Sequence, residues 1–178
     1  ILERNAAKEL QHWIKEATGV APEITAACNA SGPAVQILAD DALGEEGYRI
    51  AIEGDVLVLA GGKGRGLMNA VFALLEEDLG YRFYTNESIR LPTLDGKPTG
   101  TLAVSPVARQ YTPQLRLRDP YYKVAFDPIW SLRNRTNAPN AVVPEMQGGH
   151  VDYGGMFVHT AASLVPPATH FAAHPESF

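Results

Sequence analysis

The chain has 178 residues, of which 46% are hydrophobic and 20% are charged, and its formal net charge is −5. This composition is that of a globular protein with one large domain, or with one small domain and part of another. The negative charge argues against a nucleic-acid partner, because such binding normally needs a basic face. No apolar run is long enough to span a bilayer, so we expect no membrane span.

The first part of the sequence alternates between helical and extended patterns. Apolar spacing and turn residues predict helix 5–18, strand 34–40, strand 47–54, strand 56–60, helix 65–79 and strand 81–86. Gly19 and Gly80 stand where a left-handed residue would end each helix, and Gly54 opens a tight turn between the second and third strands. The order predicts an α+β fold in which helices cover one face of a small, mostly antiparallel sheet.

The pattern of apolar and polar residues changes after a Pro-, Thr- and Gly-rich linker at residues 89–113. A short strand is predicted at 114–119, a helix at 126–137 with Asp127 as its cap, and a buried parallel strand at 140–145. Strand, helix and strand at this spacing predict the first βαβ part of a truncated (β/α) barrel. We therefore divide the chain into an α+β domain at residues 1–105 and the start of a barrel at residues 106–178.

The glycine-rich stretch GGKGRG, residues 61–66, resembles a phosphate-binding loop because it lies between a predicted strand and a predicted helix. A dinucleotide fingerprint fails because Leu67 holds the position of its third glycine. A Walker loop fails because Gly64, which has no hydroxyl, follows Lys63. We interpret the stretch as a sharp corner of the scaffold, with phosphate binding at the helix N-terminus as the weaker alternative.

Two groups of segments carry a family resemblance. NAAKELQHWIKEATG and GYRIAIEGDVLVLAGGKGRGLMNAVFALLEEDLGYRFY resemble the leading domain of carbohydrate-active enzymes, namely domain 2 of the glycoside hydrolase family 20 β-hexosaminidases and the N-terminal domain of α-glucuronidases. RLRDPYY, WSLRNRTN and HTAASLVPPATHFAAHPESF are similar to the family called domain of unknown function 4838, in which such a domain precedes a glycosidase-like barrel. The chain departs from these families because the strand that usually precedes the first helix is absent and the barrel stops after its first units.

The resemblance implies a glycoside hydrolase that acts on glycans, is secreted or periplasmic, and has the rest of its own barrel as a partner. It implies no cofactor. Its catalytic carboxylates would lie on later barrel strands, beyond Phe178, so we expect no catalytic residue and no activity in this chain. Whether the full-length protein is an enzyme stays open, because a non-catalytic glycan-binding or structural module is the alternative. A nucleotide-binding domain is a second and weaker alternative.

Six residues of the second part are candidates for substrate binding: Arg116, Arg118, Asp119, Glu145, His150 and His159. Asp119 follows RLR and Glu145 follows AVVP, each at the C-terminal end of a predicted strand, where barrels bind their ligands. Arg116 and Arg118 alternate with leucines and so share a side. In family 20 an arginine on the first barrel strand holds sugar hydroxyls. The resemblance implies that role for either Arg116 or Arg118. An Arg–Asp pair at a domain interface is an equal alternative.

The histidines leave more than one interpretation open. His150 and His159 lie in or beside glycine-rich loops, which commonly bring polar groups to ligands, but a surface or capping role suits each of them equally. His170 and His174 are four residues apart, as in zinc-binding helices. No H-E-x-x-H glutamate lies between them and a proline follows, so we predict no metal site. The single cysteine, Cys28, is not predicted to be a nucleophile.

Overall fold

The structure is a computed structural model that describes residues 1–26, 32–94, 97–104, 108–155 and 158–177, so Cys28 lies outside the described residues. The α-helices are α1 (Leu2–Thr18), α2 (Gly66–Ala73), α3 (Pro128–Arg133), α4 (Ala161–Leu164) and α5 (Pro167–His170). The strands are β1 (Ala34–Ala39), β2 (Tyr48–Glu53), β3 (Val56–Gly61), β4 (Arg82–Phe83), β5 (Ile89–Arg90), β6 (Thr93–Leu94), β7 (Lys97–Pro98) and β8 (Arg109–Tyr111). In the part of the chain that the structure describes, no helix is both long and apolar enough to cross a membrane.

The main sheet has four strands in the order β1-β3-β2-β8. The β1–β3 pair is parallel, whereas the β2–β3 and β2–β8 pairs are antiparallel. Helices α1 and α2 pack on this sheet and on each other, and their apolar side chains form one core with the inward side chains of β2 and β3. The predicted α+β fold with a mostly antiparallel sheet is therefore confirmed.

Helix α1 forms because its apolar residues fall on one face. Ala6, Leu10, Trp13 and Ala17 are all buried, and each lies three or four residues after the one before. The helix ends at Gly19, whose φ of 77° is left-handed and whose N–H donates to the carbonyl of the last turn. The helix predicted at residues 5–18 is confirmed, and it begins three residues earlier, at Leu2.

The predicted hairpin is formed by β2 and β3. Gly54 adopts a φ of 63°, which the tight turn requires and which a residue with a Cβ rarely adopts. Tyr48 and Ile50 of β2 point into the core, at 3% and 1% exposed. Burying a side chain such as Ile50 stabilises the fold by about 1.5–3 kcal/mol.

The second predicted helix changes its hydrogen bonding halfway along. After α2 the chain continues as a π-helical turn at Leu74–Asp78, in which the N–H of Leu79 donates to the carbonyl of Leu74 at 3.1 Å. Gly80, with a φ of 82°, ends the element as predicted. The wider turn is a departure from regular α-helix that spacing alone did not indicate.

The second part of the chain contains the predicted helix but not its predicted strands. Asp127 caps α3, accepting from the N–H groups of Ile129 and Trp130 at 2.8 and 3.0 Å. Residues 114–119 and 140–145 form no strand in the structure. The backbone N–H and C=O of Arg118 are instead both hydrogen-bonded to Asn137. They are therefore not free to bond to a neighbouring strand. The truncated barrel itself stays a prediction.

The strand predicted at 140–145 was expected to be buried on both sides. Burial alternates there instead: Ala141 and Val143 are buried at 0% and 1% exposed, while Val142 is 64% exposed. The N–H of Val143 donates to the carbonyl of Ala141, which closes a tight turn. The extended segment that does join the main sheet is β8, which lies beyond the predicted division at residue 105 and pairs with β2.

Candidate functional site

The glycine-rich loop is packed against the backbone of residues 44–47, just before β2. A Cβ added to Gly62 would lie 1.4 Å from the carbonyl oxygen of Gly44, and one on Gly66 would lie 2.4 Å from that of Gly47. The N–H groups of Gly62 and Gly66 donate to the carbonyls of Gly47 and Glu45, both at 3.0 Å. Two amides that a phosphate would need are thus already used, which supports the scaffold interpretation of the loop.

Arg65, in the middle of this loop, joins the two parts of the chain. Its side chain is buried at 1% exposed. Nη2 donates to the carbonyl of Ser131 at 3.3 Å, and Nη1 donates to the carbonyl of Thr136. Burial lowers the pKa of Arg65 to about 10, so the guanidinium is still charged at neutral pH. The Arg65 side chain therefore holds α3 and the chain that follows it to the glycine-rich loop.

Arg118, a predicted sugar-binding residue, is engaged within the protein. Its Nη2 forms an ion pair with Glu46, Nε donates to the carbonyl of Arg135 at 2.9 Å, and Nη1 donates to that of Leu115 at 2.8 Å. Asn137 completes the cluster by donating to Glu46 at 2.7 Å. We call Glu46, Arg118 and Asn137 the interface cluster, because Glu46 belongs to the first part and the other two to the second. The sequence left open an Arg–Asp pair at a domain interface as the alternative role of this arginine. In the structure the acid that pairs with Arg118 is a glutamate, Glu46.

Asp119 lies beside the chain segment that follows His150. Its Oδ2 accepts from the Tyr153 hydroxyl at 2.6 Å, and that hydrogen bond raises the pKa of Tyr153 to about 12. Its Oδ1 is buried and has no hydrogen-bond partner among the described residues. The N–H of Val151 donates to the carbonyl of Asn137 at 2.9 Å, which connects this segment to the interface cluster. The structure therefore brings Asp119 and His150 into the same region.

Glu145 and His150 lie at the two ends of one short loop. Glu145 is exposed, and a Cβ on Gly149 would lie 3.0 Å from its Oε1. His150 is half-buried, with Nδ1 3.3 Å from the carbonyl of Val143 and Nε2 3.3 Å from a carboxylate oxygen of Asp152. These contacts place one carboxylate, that of Asp152, beside His150 and no second one opposite it.

The other two candidates lie apart. Arg116 has an exposed side chain, and only its carbonyl takes part in the interface, accepting from Asn137 at 2.8 Å. His159 is exposed and has a φ of 58°, and none of the contacts among the described residues includes it. Four of the six candidates therefore lie on connected segments, while the substrate-binding role of all six stays a prediction.

A polar cavity of about 140 Å³ lies next to the interface cluster. Sequence reasoning selected Arg118 among its lining residues but not the others, which are Tyr48, Asn69, Tyr111, Pro113, Asn134 and Arg135. One signal was present, because Asn69 is the only polar side chain in the helical stretch GLMNAVFA. The described residues contain no group of three or more His, Cys, Asp or Glu side chains that could hold a metal ion.

Residues 2–76 match the model of the family described as glycosyl hydrolase family 20, domain 2. The match runs from the start of α1 into the π-helical turn and so contains β1, β2, β3 and α2. No curated protein matches the chain. Residues 2–76 are therefore similar to a glycoside hydrolase-related domain, which agrees with the resemblance found in NAAKELQHWIKEATG and the segments after it.

Proposed function

We propose that this chain is the leading part of a glycoside hydrolase that acts on glycans. The observation that carries the proposal is the match of residues 2–76 to domain 2 of glycosyl hydrolase family 20, on a fold of the expected class. Substrates of the hexosaminidase or α-glucuronidase type, and a secreted or periplasmic location, follow from the wider resemblance. The similarity to domain of unknown function 4838 belongs to the same proposal.

In this proposal the first domain is a non-catalytic scaffold that positions the chain after it. Support comes from Arg65, which is buried yet donates to carbonyls 66 and 71 residues further along. The ion pair between Glu46 and Arg118 adds a second connection. Such buried, charge-assisted hydrogen bonds fix orientation, because a displaced partner would leave a charge unpaired.

The catalytic carboxylates are proposed to lie beyond Phe178. Glycoside hydrolysis needs two carboxyl groups, about 5 Å apart in retaining enzymes or about 6.5–9.5 Å apart in inverting ones. Two acids of the second part have partners within the protein, because Asp119 accepts from Tyr153 and Asp152 lies beside His150, whereas Glu145 is exposed. We therefore propose that the 178-residue chain has no catalytic activity of its own.

The experiment compares the full-length protein with the 178-residue chain on aryl glycosides. Substrates are the 4-nitrophenyl derivatives of N-acetyl-β-glucosamine, β-glucose and α-glucuronic acid, and release of nitrophenolate is measured. We expect turnover of one or more of them by the full-length protein and none by the short chain. Failure of the full-length protein on every glycoside, with binding retained on an array of glycans, would replace the enzyme by the alternative of a glycan-binding module.

The nucleotide-binding alternative has its own test. Because the amides of Gly62 and Gly66 are already hydrogen-bonded, we expect ATP and NAD to leave the melting temperature of the chain unchanged. A saturable rise with either nucleotide would contradict the scaffold role of the glycine-rich loop.

A further inference from the structure

Residues 112–153, which we call the docked segment, are attached to the first part of the chain by side chains. The last backbone connection between the two is the pairing of β8 with β2, which ends at Tyr111. Beyond it, no backbone–backbone hydrogen bond joins residues 112–153 to residues 1–104 in the part of the chain that the structure describes. The segment does have such bonds within itself: the N–H of Asn137 donates to the carbonyl of Arg118 at 3.3 Å, and that of Val151 donates to the carbonyl of Asn137 at 2.9 Å. Movement of the segment as one body would therefore leave the main sheet intact.

The docked segment contributes little to the main core. Among the described residues, Leu132 and Val143 are its only side chains in that buried cluster, and all the other members lie at or before Phe83. The polar cavity of about 140 Å³ lies between the two surfaces, because its lining includes residues of both. Displacement of the segment would thus uncover few apolar side chains and leave the rest of the core packed.

The ion pairs that hold the docked segment are sorted by sign, with arginines on the segment and carboxylates on the first part. Arg118 pairs with Glu46. Nη2 of Arg135 lies 2.9 Å from Glu76 and 3.2 Å from Glu77. These five side chains are 19–43% exposed, so water already reaches each of them in part. Separation of such pairs leaves both partners hydrated, and it costs less than separation of a fully buried pair.

The π-helical turn at Leu74–Asp78 aims two of these carboxylates at one arginine. A π-helical turn holds more residues than an α-helical one, so consecutive side chains spread over a narrower arc. Glu76 and Glu77 are neighbours in sequence, and both reach Nη2 of Arg135. The departure from regular α-helix therefore strengthens the attachment of the docked segment.

The docked arrangement also carries a cost that separation would relieve. Nε of Arg65 and Nη1 of Arg135 are buried and have no hydrogen-bond partner among the described residues. Arg65 is 1% exposed, and burial lowers its pKa, so its charge is poorly hydrated while the segment covers it. Separation returns water to both guanidinium groups. That gain offsets part of the loss of the hydrogen bonds from Arg65 to the carbonyls of Ser131 and Thr136.

We propose that the docked segment opens as one unit about a hinge at residues 112–113, while α1, α2 and the main sheet stay folded. The pairs Glu46–Arg118 and Glu76–Arg135 are the latch that keeps it closed. Opening uncovers Arg65 and the acidic side chains that faced the segment. The proposal does not rest on the glycoside hydrolase function, because it follows from the contacts between the two parts alone.

The test is native-state hydrogen exchange of the ¹⁵N-labelled 178-residue chain, followed by NMR. The reporters of the docked segment are the backbone amides of Ser131, Asn137 and Val143, which are buried and hydrogen-bonded within the segment. Leu59 and Phe72, both 0% exposed, are the reporters of the first part. We expect the three segment amides to share one protection factor that is lower by about tenfold or more than that of the first part. Equal protection of the two sets, or three unrelated values within the segment, would overturn the proposal.

Variants of the latch show whether the ion pairs control the opening. Glu46→Gln and Glu76→Gln are each expected to speed exchange of the segment reporters by about threefold to tenfold and to leave the reporters of the first part unchanged. Glu53→Gln is the matched control, because it removes the 2.9 Å pair with Arg49 inside the first part, and it should not speed exchange of the segment reporters. The proposal is wrong if the latch variants speed exchange in both sets equally or in neither.

Discussion

Arg65 donates from Nη2 to the carbonyl oxygen of Ser131 at 3.3 Å, although 66 residues separate them in the chain. The arginine stands in a loop that has the composition of a phosphate cradle, yet its side chain points into the protein. The contact shows how the loop works: its glycines allow close packing against residues 44–47, and its arginine holds the turn after α3.

Removal of the Arg65 side chain should destabilise the protein strongly. Arg65→Ala removes two hydrogen bonds from a buried, charged side chain to the carbonyls of Ser131 and Thr136 and leaves a cavity in its place, at a cost of about 2–4 kcal/mol in the free energy of unfolding. Lys63→Ala is the control, because the Lys63–Asp41 ion pair is exposed to solvent and its loss should change the free energy of unfolding far less. Urea denaturation measures both. Equal losses in the two variants would contradict the anchoring role of Arg65.

Gly62 should tolerate no side chain. A Cβ at this position would lie 1.4 Å from the carbonyl oxygen of Gly44, so that Gly62→Ala forces two backbone segments apart. We expect a loss of more than about 3 kcal/mol or failure to fold. Gly154→Ala meets nothing within 4 Å and serves as the control. A thermal melt of Gly62→Ala that matches wild type would show that the loop is not closely packed.

The ion pair between Glu46 and Arg118 should show a measurable coupling energy. Both side chains are only 19% exposed, so solvent screens them less than a surface pair. We expect a double-mutant cycle of Glu46→Gln and Arg118→Met to give about 1–3 kcal/mol. A cycle on Arg49 and Glu53, an ion pair along β2 with side chains 34% and 59% exposed, should give less than about 1 kcal/mol. Comparable values would indicate that the interface cluster contributes no more than a surface contact.

Tyr81 should make the protein sensitive to alkaline pH. Its hydroxyl donates to the carbonyl of Trp13 at 2.5 Å, and burial raises its pKa to about 12. The ordinary value in an unfolded chain is about 10. The folded state therefore holds the proton more tightly, so this contribution is fully present below about pH 10 and is lost as the pH rises towards 12.

The free energy of unfolding between pH 9 and pH 11.5 measures this effect. The decline should be smaller in Tyr81→Phe than in wild type, because the variant has no proton to lose at that position. Tyr84→Phe, at an exposed position, should decline as wild type does. The same alkaline slope in both variants would assign the sensitivity to other groups, such as Tyr48 or Tyr153.

The candidate site was only partly predictable from the sequence. Arg118 was selected because it alternates with leucines on a predicted strand, and Asp119 for its place at the end of that strand. The structure pairs Arg118 with Glu46 and Asp119 with Tyr153, on a segment that forms no strand. Glu46 and Asn69 carried no functional motif, although a lone asparagine in an apolar helix is a usable signal. Their significance depends on what the second part of the chain places next to them, which no local pattern contains.

The sequence by itself determined the elements whose stabilising contacts are local. The spacing of Ala6, Leu10, Trp13 and Ala17 sets the buried face of α1, and Gly54 and Gly80 set turns that only their backbone freedom allows. The tertiary structure alone decided where Arg65 points, that β8 pairs with β2, and that residues 114–119 form no strand. The physical reason is range: helix and hairpin hydrogen bonds join residues close in sequence, whereas these outcomes depend on partners tens of residues away.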